Sequence, residues 1–312
     1  MWLAFFIAIL LAAVLFVVIA AITNYLYSKS SYFKNKIGQT EKFKKGLPTN
    51  LQAVNLGSAH AREAFSYQDS EIAGFNFALQ SQTLSYDYIL LKRYSGHLAP
   101  GCRVFISIEP LLFCPIHFSG INNRMYYHFL QKEDIIEYSP LVNYAEKVVP
   151  GLASLTAIKA LLRGDVEQPL VLEQEQREHE ADTMIACWKR NFDLDNTLNG
   201  NQAEKFREQM EYNQQKLKEI VSLCKKKSFV PIVVVLPMTH IMTSRFSPEF
   251  LRSFVYDNLE CVSKDVPIID YFEDERFSMR YDLFCDSEYL NEKGARLFTK
   301  TLLEETSYRG ES

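Results

Sequence analysis

The residues best suited to chemistry fall in two short segments. Ala53-Val-Asn-Leu-Gly-Ser-Ala-His60 runs from an apolar strand into a polar turn and brings Ser58 and His60 close together. Asp286-Ser-Glu-Tyr-Leu-Asn-Glu-Lys-Gly294 carries carboxylates and a phenol into the start of a helix. A hydroxyl, an imidazole and a carboxylate are what nucleophilic acyl chemistry requires: an attacking oxygen, a proton acceptor and a group to orient it. The other histidines offer less. His240 follows an apolar run and reads as a surface loop residue, while His97, His117, His128 and His179 have no motif around them. Cys102, Cys114, Cys187, Cys224, Cys261 and Cys285 are scattered without a CxxC pair, so zinc-ligand spacing is absent and neither a metal nor another cofactor is expected. The cysteines read as small buried hydrophobes.

With 312 residues the chain is long enough for one large domain or two small ones, and 47% hydrophobic content against 23% charged argues for a folded core. A net charge of -4 excludes the basic face that nucleic acid binding needs.

Trp2 to Ile22 carries no charge and is almost wholly apolar. As a helix rising ~1.5 Å per residue it spans about 30 Å, the hydrocarbon thickness of a bilayer. Asn24, Tyr25 and Tyr27 follow at the expected interface. A cleaved signal peptide would have a basic start and a shorter apolar run, so residues 1–23 read as a transmembrane anchor with the bilayer as partner. Residues 24–50 read as a lysine-rich tether. Lys29, Lys34, Lys36, Lys42, Lys44 and Lys45 alone would place the following domain inside, although a long domain can cross despite such charge.

From residue 51 the pattern is α/β. Strands are expected at Ala53–Gly57, Gly74–Ala78, Arg103–Ile108, Val230–Leu236 and Val266–Asp270, with Pro100-Gly101 as punctuation before the third. Helices are expected at Leu84–Tyr94, from Asn201 to Lys227, at Phe250–Cys261 and at Asn291–Thr306. A mostly helical insertion is expected at about 115–200. Within it, Met125-Tyr-Tyr-His-Phe129 reads as helix core or as a sugar-binding groove, Glu173–Glu180 as a solvated charged face, and Trp188 with Phe192 as packing onto the sheet. Strands alternating with helices give a parallel sheet covered on both faces, with sites at the strands' carboxyl ends.

Read in order, these segments resemble the SGNH/GDSL hydrolase superfamily. Ala53–His60 looks like its first block, Asn76–Asp87 like its second, Val104–Phe113 and Val233–Thr239 like the intervening strands, and Asp286–Thr299 like its last. The similarity covers roughly residues 50–306 and is closest to the membrane-anchored branch that includes the teichoic-acid D-alanyl transfer protein DltD and relatives in exopolysaccharide loci. It implies a three-layer, flavodoxin-like sandwich over 51–312.

The resemblance also implies a serine, a histidine and an aspartate in the site. Asp286 matches the aspartate, but the serine falls on Ala59 and the histidine on Tyr289; Ser81 stands at the oxyanion glycine. A methyl group is no nucleophile, and a neutral phenol with a pKa near 10 is a poor base. Ser58 is the candidate substitute nucleophile, one residue early. Gly57, Ser58, His60, Ser81 and Asn291 are expected to line the pocket. The resulting expectation is a membrane-tethered pseudo-hydrolase, its domain outside the cell, assisting acylation or assembly of a cell-surface polysaccharide with the glycan or a membrane-bound O-acyltransferase as partner. The alternatives are an active serine esterase or O-acyltransferase using a relocated nucleophile, and a non-catalytic binding module.

Overall fold

The computed structural model describes residues 2–114, 123–163, 172–192, 194 and 201–307. The chain divides into two compact units, Met1–Leu47 with His117–Gln168, and Pro48–Ile116 with Pro169–Ser312. His117, the Asn199-Gly200 start of the long helix and parts of the expected insertion lie outside the described residues.

The second unit is built on strands β1 (Leu51–Leu56), β2 (Gly74–Asn76), β3 (Leu98–Ile108), β4 (Val230–Val235) and β5 (Ile268–Asp270). They form one parallel sheet in the order β2-β1-β3-β4-β5. Helices cover both faces, so the central strands are apolar on both sides rather than alternating. Ala53, Phe105, Val234 and Ile269 share a core with Phe298 and Leu302 from the closing helix Glu292–Ser307. Phe65 stacks on Phe105 at 5.8 Å and meets Phe298 edge-on at 5.4 Å. The chain leaves β1 for the edge strand β2 and returns to β3 on the other side. The crevice at the carboxyl ends of β1 and β3 is therefore the topological switch point, where such sheets bind ligands.

Two elements differ from expectation. β3 starts at Leu98 rather than Arg103 and runs through Pro100-Gly101. The pairing with β1 shifts register between Leu51 and Ala53, and Gly101 takes φ 77 there; an irregularity of this kind is where a strand tolerates proline. The expected single helix Phe250–Cys261 is instead a short α-turn, Pro248–Leu251, a π-helical stretch, Arg252–Tyr256, and a further turn, Asp257–Leu259.

The first unit begins with α1 (Trp2–Lys29), a helix long and apolar enough to cross a membrane, with a mean hydropathy of 3.3 over its most apolar window. The stretch expected as a tether is helical as well. Ser30 Oγ accepts from Phe33 N at the start of α2 (Ser31–Lys36), and α3 (Glu41–Lys44) follows. Ile37, Phe43 and Leu47 are buried, and Phe43 stacks on Phe129 at 4.6 Å, so this polar-looking segment has an apolar inner face. The expected insertion also divides: residues 117–168 group with α1, and residues from 169 onward with the sheet. Met125, Tyr126 and Tyr127 are buried in a 3-10 turn, as core rather than as an open aromatic groove.

Gly294 lets the closing helix approach the loop before it, since a Cβ there would lie 2.1 Å from Leu283 O. Gly294→Ala must move backbone and should lower the unfolding free energy of the second unit by about 1–3 kcal/mol. Gly96→Ala, where a Cβ meets nothing within 4 Å, is the control. Urea titration of the two detergent-solubilised variants should separate them.

Candidate functional site

Four connections at the carboxyl side of the sheet supply the site. Gly57 ends β1 with φ 133, and a Cβ there would come within 2.7 Å of Ala61 Cβ and 3.0 Å of Ser107 Cβ. Only glycine fits this turn. Its N–H donates to Asp87 Oδ1 at 2.9 Å, which ties the turn to α5 (Leu84–Tyr94). Ser58 then opens α4 (Ala59–Ala64), placing Ala59 in its first turn and His60 wholly inside.

Ser58 Oγ donates to Glu109, 2.7 Å from Oε1 and 2.8 Å from Oε2. Glu109 follows β3, so this hydrogen bond straddles the switch point. His60 Nε2 lies 3.0 Å from Pro237 O beyond β4; because a carbonyl only accepts, Nε2 is the protonated nitrogen. The His60 ring meets Tyr289 edge-on at 5.9 Å. His60, Glu109 and Glu288 each bring a donor atom within 4.8 Å of the others.

Burial sets the electrostatics. It pushes His60 down to about 4, opposed by the Pro237 bond, so the ring is neutral near pH 7. It raises Glu109, opposed by the Ser58 hydroxyl. It raises Glu288 well above the usual carboxylate range, helped by repulsion from Glu109 and Asp286. Two close carboxyls in a dry site do not both ionise. Glu109, accepting through both oxygens, takes the charge, and Glu288 takes the proton. Burial also raises Tyr289, with Glu288 and Glu109 adding to the effect, so the phenol stays protonated and offers no phenolate as a base. An imidazole with two carboxyls is a donor set that a divalent cation accepts. Two of its atoms, His60 Nδ1 and Glu288 Oε2, are buried without a hydrogen-bond partner.

Asp286 does not reach out as an orienting anion. Its Oδ1 accepts from Glu288 N at 2.9 Å and Tyr289 N at 2.6 Å, closing the turn it begins. Burial raises it, and those two N–H groups oppose the shift. Asn291 serves the next helix: Oδ1 accepts from Gly294 N at 3.0 Å, and Nδ2 donates to Asp282 O at 2.9 Å. Ser81 is exposed in the loop before α5 with φ 59, a left-handed conformation that glycine adopts without strain. His240 is exposed at the start of a short helical turn.

Arg177 is the residue the sequence concealed. It lies in the run read as a solvated face, yet it is only 2% exposed. Its guanidinium donates to Leu172 O at 2.9 Å, Phe284 O at 3.0 Å and Tyr281 O at 3.3 Å, and also to Asp286 O. Ser287 Oγ returns a bond to Arg177 O at 2.7 Å, and Thr239 Oγ1 donates to Ser287 O at 2.7 Å. The helix Gln174–Phe192 thus fixes the segment that carries Asp286, Glu288 and Tyr289. Glu109 and Asp87 were also without an assigned role. The available signal for Glu109 was a carboxylate placed directly after the strand Val104–Ile108, apolar but for Ser107, and followed by proline.

No family model matches the chain, and no curated protein matches it. Two solved structures are similar in fold. One is a chain assigned to the lipolytic G-D-S-L family from Desulfitobacterium hafniense DCB-2, at 14% identity over 82% of this chain and 99% of that one, with a TM-score of 0.37. The other is assigned as a platelet activating factor from Streptococcus pneumonia, at 12% identity over 92% and 97%, with a TM-score of 0.36. At these TM-scores neither likeness carries an argument about superfamily, reaction or substrate.

Asp87 provides a pH test of this buried network. Burial pushes it up to about 7, opposed by hydrogen bonds from Gln82 and Gly57. The folded state therefore keeps a proton that the unfolded chain releases near pH 4. Its contribution is full below about pH 4 and is lost as pH rises toward 7, at up to about 1.4 kcal/mol per pH unit. Asp87→Asn should retain the bond from Gly57 and remove that slope. Urea midpoints of the two proteins between pH 4 and 7 should converge as pH falls if Asp87 titrates this way.

Proposed function

We propose that this chain is a membrane-tethered SGNH-like protein that does not hydrolyse esters itself and serves the acylation or assembly of a cell-surface polysaccharide. One observation carries the non-hydrolytic part. The hydroxyl next to the position that matches the serine is held by both oxygens of Glu109, only 9% of Ser58 is exposed, and burial keeps the phenol at the histidine position protonated. Neither an exposed nucleophile nor a basic partner faces a substrate. The tether rests on α1, and the polysaccharide on the resemblance of the sequence blocks to the membrane-anchored branch. In this reading the domain lies outside the cell and holds the glycan or a membrane-bound O-acyltransferase.

A second reading has its own observation. Ser58 Oγ is 2.7 Å from a carboxylate, close enough to pass its proton to Glu109 on attack, which would make Ser58 a relocated nucleophile. The two readings separate in the producing cell. Deleting the chain should lower the acyl content of surface polysaccharide, and Ser58→Ala should restore it to the wild-type level. If Ser58→Ala folds and fails to restore it, the enzymatic reading stands instead. On the detergent-solubilised full chain, a fluorophosphonate probe should leave Ser58 unlabelled. Labelling of Ser58 that disappears in Glu109→Gln would overturn the non-hydrolytic reading.

A further inference from the structure

Within the first unit, the helix Pro140–Val148 is built inside out. Its buried residue is Glu146, 4% exposed, held by Arg124 and by His128 Nε2 at 3.2 Å. Its apolar residues face outward instead: Leu141 is 77% exposed and Tyr144 64%, with Val148 beside them. The next helix, Leu155–Arg163, buries Ala157 and leaves Leu155 and Leu162 about as bare. A helix that turns a glutamate inward and leucines outward is not arranged for water.

The join between these helices rests on α1. Asn24 Nδ2 donates to Val148 O at 2.9 Å, and Gly151 N donates to Asn24 Oδ1 at 3.1 Å. The approach is close enough that a Cβ on Gly151 would lie 2.7 Å from Thr23 O. About 20 residues of helix fill a bilayer's hydrocarbon core. With Trp2 to Ile22 inside it, Asn24 stands at headgroup level, and so do Val148 and Gly151. Exposed Lys29, Lys34, Lys147 and Lys159 belong to the same unit and suit anionic headgroups.

We propose that the helices Pro140–Val148 and Leu155–Arg163 lie in the bilayer interface beside the end of α1, with Leu141, Tyr144, Leu155 and Leu162 in contact with lipid. The chain is then held by an embedded platform as well as by a single span. The occupant of this face is lipid rather than protein, because the face continues from the apolar surface of α1 and has lysines near it. The inference rests on the reading of α1 as a membrane span, and the test keeps the two apart.

The photo-crosslinking residue p-benzoylphenylalanine is introduced singly at Leu141, Leu155 and Leu162, at Lys147 and Lys159, and at Leu10 within α1. Each full-length protein is reconstituted into vesicles of phosphatidylcholine with phosphatidylglycerol, irradiated, and examined by mass spectrometry. All these positions are exposed, so the substitutions leave the core intact. Lipid adducts at 141, 155 and 162 with a yield comparable to position 10, and lower yields at 147 and 159 at headgroup level, are expected. Adducts at 10 with none at 141, 155 and 162 would overturn the platform and leave the span standing. Adducts to a second copy of the chain at those three positions would overturn it in favour of self-association. No lipid adduct at position 10 would remove the span and the platform together.

Discussion

The buried guanidinium of Arg177 is the contact on which the candidate site depends. A cation with almost no exposure needs full hydrogen bonding to remain inside. It obtains this from backbone carbonyls of Leu172, Tyr281, Phe284 and Asp286. Those carbonyls belong largely to a loop with little regular structure of its own. Satisfying one charge therefore fixes several peptide units at once, and the positions of Glu288 and Tyr289 follow. The loop is fastened from the other side by Thr239, so the ends of β4 and of the last connection are joined through Ser287.

The site so fixed is short of the usual tools of acyl transfer and rich in protons. The side chains of the site bond to one another and to nearby backbone. Ser58 is turned to Glu109, His60 Nε2 to Pro237, and the Tyr289 ring meets that of His60. This network ties the loops together, while His60 Nδ1 and Glu288 Oε2 stay buried without a hydrogen-bond partner. Its effect is to join the carboxyl ends of β1, β3 and β4 across the switch point, where an open crevice would otherwise separate them.

Much of this fold was legible in the residues. The runs at Arg103–Ile108 and Val230–Leu236 read as buried strands, the second as a central parallel one, and the amphipathic spacing of the closing helix set its inner face. The boundaries that slipped did so for physical reasons. A proline and a glycine inside β3 imitate a turn because an irregular register and a strand break use the same residues. Arg177 was hidden because a buried cation and a solvated one look alike when their acceptors are backbone carbonyls far along the chain. Glu109 and Asp87 were hidden in the same way, since their partners are a hydroxyl and an amide on another strand's turn. The polar stretch after α1 looked like a solvated spacer because lysines outnumber the few apolar residues that bury it.

The inward turn of Glu146 bears on how this protein can be handled at the bench. Truncating the chain after α1 is the customary route to a soluble fragment. Here it would leave the leucine faces of two helices uncovered, and it would also take Asn24 from the backbone of Val148 and Gly151. Such a fragment would enter solution with a bare apolar flank and two broken anchor bonds, which favours aggregation over a clean monomer. The more workable division removes the segment of residues 117–168 together with α1, because these belong to one compact unit and the sheet-bearing unit has a core of its own.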